Sequence, residues 1–144
     1  NYTNHHTLSL HDALPISHGV PLTPSELARH AVVWFTSHAG VPEWRFRGAQ
    51  VVRLTPRLIV DRAEVAIAAA RDGGGVVRAL SYQLADDLEA GRLVRVLGPH
   101  EPPPTPVHLV HPSRRLVPPR VRAFLDLAAP RLRALPALRA QPPL

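Results

Sequence analysis

The sequence predicts a layered α/β domain. Short apolar or alternating runs of strand length take turns with helix-patterned segments, and the two central helix patterns open on a capping residue and close on glycine. With 144 residues, 45% of them hydrophobic, the chain is long enough to enclose one core.

The elements follow in order. Residues 21–30, PLTPSELARH, place Thr23 as N-cap, Pro24 at the first helical position and Glu26 three residues after the cap. That is a capping box opening a short helix. Residues 31–36, AVVWFT, form an apolar run of strand length and read as a buried strand. Residues 43–47, EWRFR, alternate strictly: Trp44 and Phe46 share one face, while Glu43, Arg45 and Arg47 share the other. Gly48-Ala49 suits a two-residue hairpin turn into 50–54, QVVRL. RLIV then makes a strand ending at Val60. Asp61 reads as an N-cap with Glu64 three residues on, an alanine-rich helix follows, and Gly73 stops it. VVRAL is a further short strand. Ser81 caps a helix through YQLADDLEA that Gly91 closes, and RLVRVL is a strand. The proline-dense 98–106, GPHEPPPTP, reads as an extended crossing, and VHLVH as another strand. In the last helix Val121, Phe124, Leu125, Ala128 and Leu132 fall on one face. Pro130 should end or kink it near Ala129. Residues 136–144 read as a disordered tail. There is no internal repeat.

Composition excludes several functions. The chain has no cysteine, so disulfides, thiolate metal sites and cysteine nucleophiles are ruled out; this suits a cytoplasmic protein. No apolar run approaches the ~20 residues of a membrane span. All 17 basic residues are arginine. Residues 1–113 hold ten of them against ten acids, whereas 114–144 hold seven against one. The net charge of +6 therefore belongs to one segment, which does not mark the whole chain as a nucleic-acid binder. No motif points to catalysis. The GGGVV turn lacks a P-loop lysine and follows a helix, and neither G-x-S-x-G nor H-E-x-x-H occurs. His108 and His111, three apart in an expected strand, would point to opposite faces and could not share a metal. No metal, cofactor or catalytic residue is expected, and the chain is not expected to be an enzyme.

Three features in order carry a resemblance. A capped helix ends in a Gly-x-Gly-hydrophobic turn (Gly73, Gly75, Val76). The block 85–97 reads A-x-x-L-x-x-G-R-L-V-x-V-L. A proline-rich crossing then leads to a strand, Pro-Ser-Arg-Arg, and a helix beginning R-V-R-A-F-L-D. Together, over about 19–135, they resemble the effector-binding domain of LysR-type transcriptional regulators. The chain departs from that pattern at Asp61-Arg62, where the family usually has Asn-Asp, at Gly74, Leu80 and Pro130.

The resemblance implies a periplasmic-binding-protein-like (type II) fold. Residues 18–104 would form the second lobe, and 105–135 the return strand and C-terminal helix of the first. It implies a cytoplasmic sensor of a small-molecule effector, often a carboxylate. DNA would be bound only through a winged helix-turn-helix outside this chain, in a homo-oligomer with no membrane contact. The candidate ligand residues are Thr36 at a strand end, Asp61 and Arg62 at a helix N-terminus, and Arg78 after the glycine turn. Plainer roles stand beside these: a strand-end hydroxyl, an N-cap, a solvated helix residue, and a surface or ion-paired arginine. Two rival readings are a periplasmic solute-binding protein, which shares the two-lobed fold, and a basic C-terminal helix that binds nucleic acid or membrane.

Residues 1–17 are expected to lie outside the fold, disordered. TLSLHDALPI, 7–16, is encoded codon by codon by ACT CTT TCC CTA CAC GAC GCT CTT CCG ATC, which looks like a sequencing-library adapter. The segment is therefore read as a translated artefact joined to a truncated gene, and His5, His6 and His11 lose any claim as a metal cluster.

Overall fold

The computed structural model describes residues 2–4, 6–11, 19–36, 41–111 and 117–138. Among the described residues, nine strands and three α-helices run in chain order: β1 Tyr2–Asn4, β2 His6–His11, β3 Val32–Phe35, β4 Glu43–Arg45, β5 Val51–Arg53, β6 Leu58–Val60, α1 Ala63–Arg71, β7 Val76–Leu80, α2 Ser81–Glu89, β8 Leu93–Val96, β9 Thr105–Val107 and α3 Pro119–Ala134.

A five-stranded sheet of order β6-β3-β7-β2-β8 forms the centre. β6, β3 and β7 are mutually parallel, and β2 runs antiparallel to both β7 and β8. Alternation sends side chains to two cores. Val33, Val77 and Leu93 pack with Ala66, Ile67 and Ala70 of α1 and Leu84 of α2. On the opposite face Leu8, Leu10, Val32, Val76 and Val96 pack with Trp44, Phe46 and Leu54 from the β4–β5 hairpin region and with Leu27.

Most expected elements form, and the local chemistry explains them. The hairpin connection is one residue longer than expected: Phe46 N–H donates to the Gln50 carbonyl, Arg45 pairs with Val51, and Arg47, Gly48 and Ala49 make the turn between them, with positive φ at Gly48 and Ala49 (73° and 60°). α1 closes with the Gly73 and Gly74 N–H groups donating to Ala70 and Ala69 carbonyls, a Schellman arrangement; Gly91 and Arg92 close α2 in the same way. Gly75 has a stricter task. Its φ is +131°, and a Cβ there would stand 2.2 Å from the Ala31 carbonyl oxygen. Its bareness lets Val76 N–H donate to that same oxygen at 2.8 Å and start the β3–β7 pairing.

Several expectations are corrected. Tyr2–Asn4 and His6–His11 are strands, not disordered. Leu8 and Leu10 do alternate with Thr7 and Ser9, so the segment has a strand period, and β7 and β8 offer it two open edges. Residues 12–18 lie outside the described residues. The two N-terminal capping boxes do not form as expected. Thr23 is the N-cap of a 3-10 helix over Pro24–Arg29 but makes no bond to its backbone. Instead Glu26 accepts from the Leu22 N–H and the Thr23 hydroxyl, in that order the causes that hold its carboxyl below the usual range. α1 starts one residue late, with Arg62 as N-cap and no side-chain cap. α2 likewise takes Leu80, not Ser81, as N-cap, and the Gln83 side chain accepts from the Leu80 N–H. The strand expected in VHLVH lies earlier: β9 is Thr105–Val107, inside the proline-dense crossing, and it pairs with β1. α3 continues through Pro130, which gives up one backbone hydrogen bond on an exposed helix. Part of the expected tail is ordered, since Pro136–Leu138 makes a 3-10 turn with Leu138 only 7% exposed.

Candidate ligand-binding site

The carboxyl ends of β6, β3 and β7 lie side by side, where open α/β sheets hold their ligands. Three of the four candidate residues gather at the β3–β6 end. Thr36 follows β3, and both its N–H (2.9 Å) and its hydroxyl (3.2 Å) donate to the Val60 carbonyl. The hydroxyl therefore satisfies the strand end, with lone pairs left to accept. Asp61 and Arg62 follow β6 and are exposed. Arg62 makes only a loose ion pair with Glu64, 3.6 Å apart, between side chains that are 71% and 74% exposed. Arg62 is the N-cap of α1 but its side chain makes no cap bond, so the first-turn N–H groups have no side-chain cap. An uncapped helix start at a sheet edge suits a negative group.

Arg78 is placed differently. It sits on β7, one strand beyond β3, opposite Leu8 in the register, and so faces the hairpin side of the sheet. Its guanidinium lies over the Phe46 ring at 5.8 Å from the centroid. Its Nε is buried, with no hydrogen-bond partner among the described residues. Burial pushes its pKa down to about 10, and the Glu101 charge partly opposes that shift; Arg78 stays protonated at neutral pH. Trp34 and Trp44 stack nearby on that face with centroids 6.2 Å apart, and Trp44 and Phe46 belong to the core.

Two residues of this neighbourhood escape sequence reasoning. Arg95 grips Glu101 with both ends of its fork, Nε to Oε1 at 3.0 Å and an Nη to Oε2 at 2.6 Å. Both side chains are mostly buried, 13% and 4% exposed. Nothing in the proline-dense segment marks Glu101 as a buried carboxylate. Among the described residues no group of three or more His, Asp or Glu is arranged to hold a metal, and no helix is long and apolar enough to cross a membrane.

Over residues 2–133 the chain matches the LysR substrate binding domain family, and it belongs to that family. It is 32% identical over 116 residues to the uncharacterized HTH-type transcriptional regulator YhjC of Escherichia coli, an alignment covering 77% of this chain and 39% of YhjC. It is also 32% identical over 113 residues to the HTH-type transcriptional regulator PtxR of Pseudomonas aeruginosa, covering 75% and 36% respectively. The chain thus spans well under half the length of these relatives. Among solved structures, the regulatory domain of CrgA from Neisseria meningitidis superposes with a TM-score of 0.74 at 21% identity, over 92% of this chain and 67% of that one. The AphB regulatory domain of Vibrio vulnificus gives 0.76 at 17%, over 91% and 66%. These likenesses carry the fold, which is of the type II periplasmic-binding-protein-like kind. The chain is effector-binding-domain sequence of the LysR type, and its relatives are regulators, not solute-binding proteins.

Proposed function

We propose that this chain is the ligand-sensing portion of a LysR-type DNA-binding regulator. A small-molecule effector would bind against the carboxyl ends of β6, β3 and β7. The observation that carries this is the family match across 2–133 joined to relatives that are helix-turn-helix regulators more than twice as long. Residues 18–104 form most of the second lobe and 105–135 return to the first. DNA contact lies with a winged helix-turn-helix outside the chain, and the full protein works as a cytoplasmic homo-oligomer without catalysis. Thr36, Asp61, Arg62 and Arg78 are this lobe's contribution to the effector site. Binding at such a site shifts lobe geometry only through different affinities for two states.

We also propose the adapter reading for residues 1–17, although the family match begins at residue 2; the codon correspondence of 7–16 carries it, and the composition of β2 supports it. β2 buries Thr7 and Ser9 as well as Leu8 and Leu10, and Ser9 Oγ has no partner among the described residues, a cost an apolar side chain there would avoid.

One experiment tests both readings: sequencing genomic DNA upstream of the His18 codon, then assaying the complete gene product for ligand-dependent DNA binding. The expected result is a native strand in place of TLSLH, a first lobe and a winged helix-turn-helix. A natural reading frame that encodes NYTNHHTLSL would overturn the adapter reading. A complete protein that binds no DNA would overturn the regulator.

A further inference from the structure

We propose that this chain associates with a second copy of itself head to tail, the basic outer face of the β4–β5 hairpin of one copy lying on the acidic outer face of α2 of the next. This goes beyond the ligand-sensing reading and stands without it.

Charge is the first ground. Residues 1–113 balance ten arginines against ten acids, but the balance is divided across the central sheet. The segments 19–30 and 41–57, whose Leu27, Trp44, Phe46 and Leu54 pack on the hairpin side, hold five arginines against two glutamates, a net +3. On the other side, 61–72 and 81–92, which carry α1 and α2, hold six acids against three arginines, a net −3. Opposite charges on opposite sides of one molecule cannot meet within it. They meet between copies, and such complementarity steers and orients association.

Geometry is the second ground. Burial of Trp44 and Phe46 turns Arg45 outward on β4, with Val51 and Arg53 outward on β5 and Arg47 in the turn between. Arg45 holds Glu43 at 2.9 Å with its own side chain 75% exposed. Arg47 and Arg53 are exposed and make no ion pair among the described residues. On α2, Leu84 packs inward, so Tyr82, Asp86 and Glu89, at i, i+4 and i+7, share the outer face and are exposed. Neither carboxylate has an ion pair among the described residues, because Arg71 and Arg92 are held by Asp87. Each face also has an apolar centre, Val51 on the hairpin and Tyr82 on α2, about half exposed. An arginine fork matches carboxylates and lies flat on a tyrosine ring, and both residue types are favoured at protein interfaces. The plainer alternative is that both faces are simply solvated.

Two consequences follow from the placement. Wet ion pairs contribute little each, so the contact is weak and salt-sensitive. The two faces lie on opposite sides of the sheet, so the contact is heterologous and does not close into a twofold dimer.

The test uses the 144-residue chain carrying F124D, which removes the exposed Phe124 of α3 as a competing apolar contact. Sedimentation velocity at pH 7 is compared in about 0.1 M and about 1 M sodium chloride, between which the Debye length falls from about 10 Å to about 3 Å. In the lower salt the weight-average sedimentation coefficient should climb with concentration and pass the dimer value, with an apparent Kd on the order of 100 µM, weakened about tenfold or more in the higher salt. R45E/R53E and D86R/E89R should each be monomeric alone. A mixture of the two should associate again, because each supplies the face that the other has lost. All four positions are exposed, and circular dichroism checks that the fold is kept. A chain that stays monomeric in both salts overturns the proposal, also where its hairpin face takes up duplex DNA instead. So does association that survives in either variant alone, or a mixture that stays monomeric. Association that persists in R45E/R53E and is lost in D86R/E89R assigns the acidic face to the arginine-rich C-terminal segment and overturns the hairpin contact. Each of these outcomes leaves ligand-dependent DNA binding by the complete gene product, the test of the ligand-sensing reading, untouched.

Discussion

Asp87 shows how single residues tie this fold together. Its buried carboxylate accepts from Arg92 at 2.6 Å and from Arg71 at 2.9 Å, joining α1, α2 and the start of β8. Burial is the largest influence and opposes ionisation. The hydrogen bonds from Arg92 and Arg71 together outweigh it and hold the carboxyl below its ordinary value of 3.8. A lowered carboxyl pKa contributes stability that is complete above the unfolded value and is lost as pH falls through the folded one. D87N should therefore cost about 1–3 kcal/mol at pH 7 and flatten the acid limb below about pH 4. Urea unfolding of both proteins across that range measures it; an unchanged D87N at pH 7 would show the ion pairs to be idle. At this scale sequence reading is weakest. Asp61, expected to cap α1, stands exposed while Arg62 takes the N-cap. Glu101, which carries no sequence signal, is among the most buried charged groups. The identity of a residue does not state which backbone or partner chain folding will bring beside it.

Elements are far more legible, because period and punctuation are local. The 43–47 alternation and the two glycine-stopped helices formed as read, and the turn at Gly48-Ala49 formed one residue longer, over Arg47–Ala49. The exception is β2, whose residues the codon correspondence sets aside as adapter although Leu8 and Leu10 alternate with Thr7 and Ser9. Its place between β7 and β8 leads to a sharp expectation. L8A should cost about 2–5 kcal/mol, as for any large-to-small change in a packed core. S9A should be neutral or stabilising, since it removes a buried hydroxyl without a partner. Denaturant melts of the two variants decide the matter. If L8A melts like wild type, residues 6–11 do not hold the sheet together.

For the whole molecule, what stands out is a face of α3 that the described residues leave largely open. Val121, Leu125, Ala128 and Leu132 are only half-buried, Phe124 is 58% exposed, and no residue of α3 is fully buried. Val110 is 88% exposed. An open groove of about 290 Å³ runs between β9 and α3, lined by Pro106, Val107, Leu125 and Ala129 among others. Apolar surface of this extent associates in water. The chain should therefore self-associate at micromolar concentration and bind a hydrophobic dye, and F124D should weaken both. A monomer with low dye binding in sedimentation velocity would refute this. The same face argues against a basic helix dedicated to nucleic acid: its apolar side is more simply a docking side for the rest of the first lobe, and sequence-selective DNA binding by this chain would count for the rival.

The sequence by itself determined the α/β class, the order of most elements, the glycine-stopped helices and the motifs that place the chain in its family, because each rests on periodicity or on the backbone freedom of a few residues. Only the tertiary structure decided that β2 completes the central sheet, that Arg95 rather than Arg78 holds Glu101, and that Arg78 lies over Phe46. Those outcomes depend on pairing between segments distant along the chain. Such pairing is fixed by which open edges and buried charges meet when the sheet closes, and no local pattern encodes it.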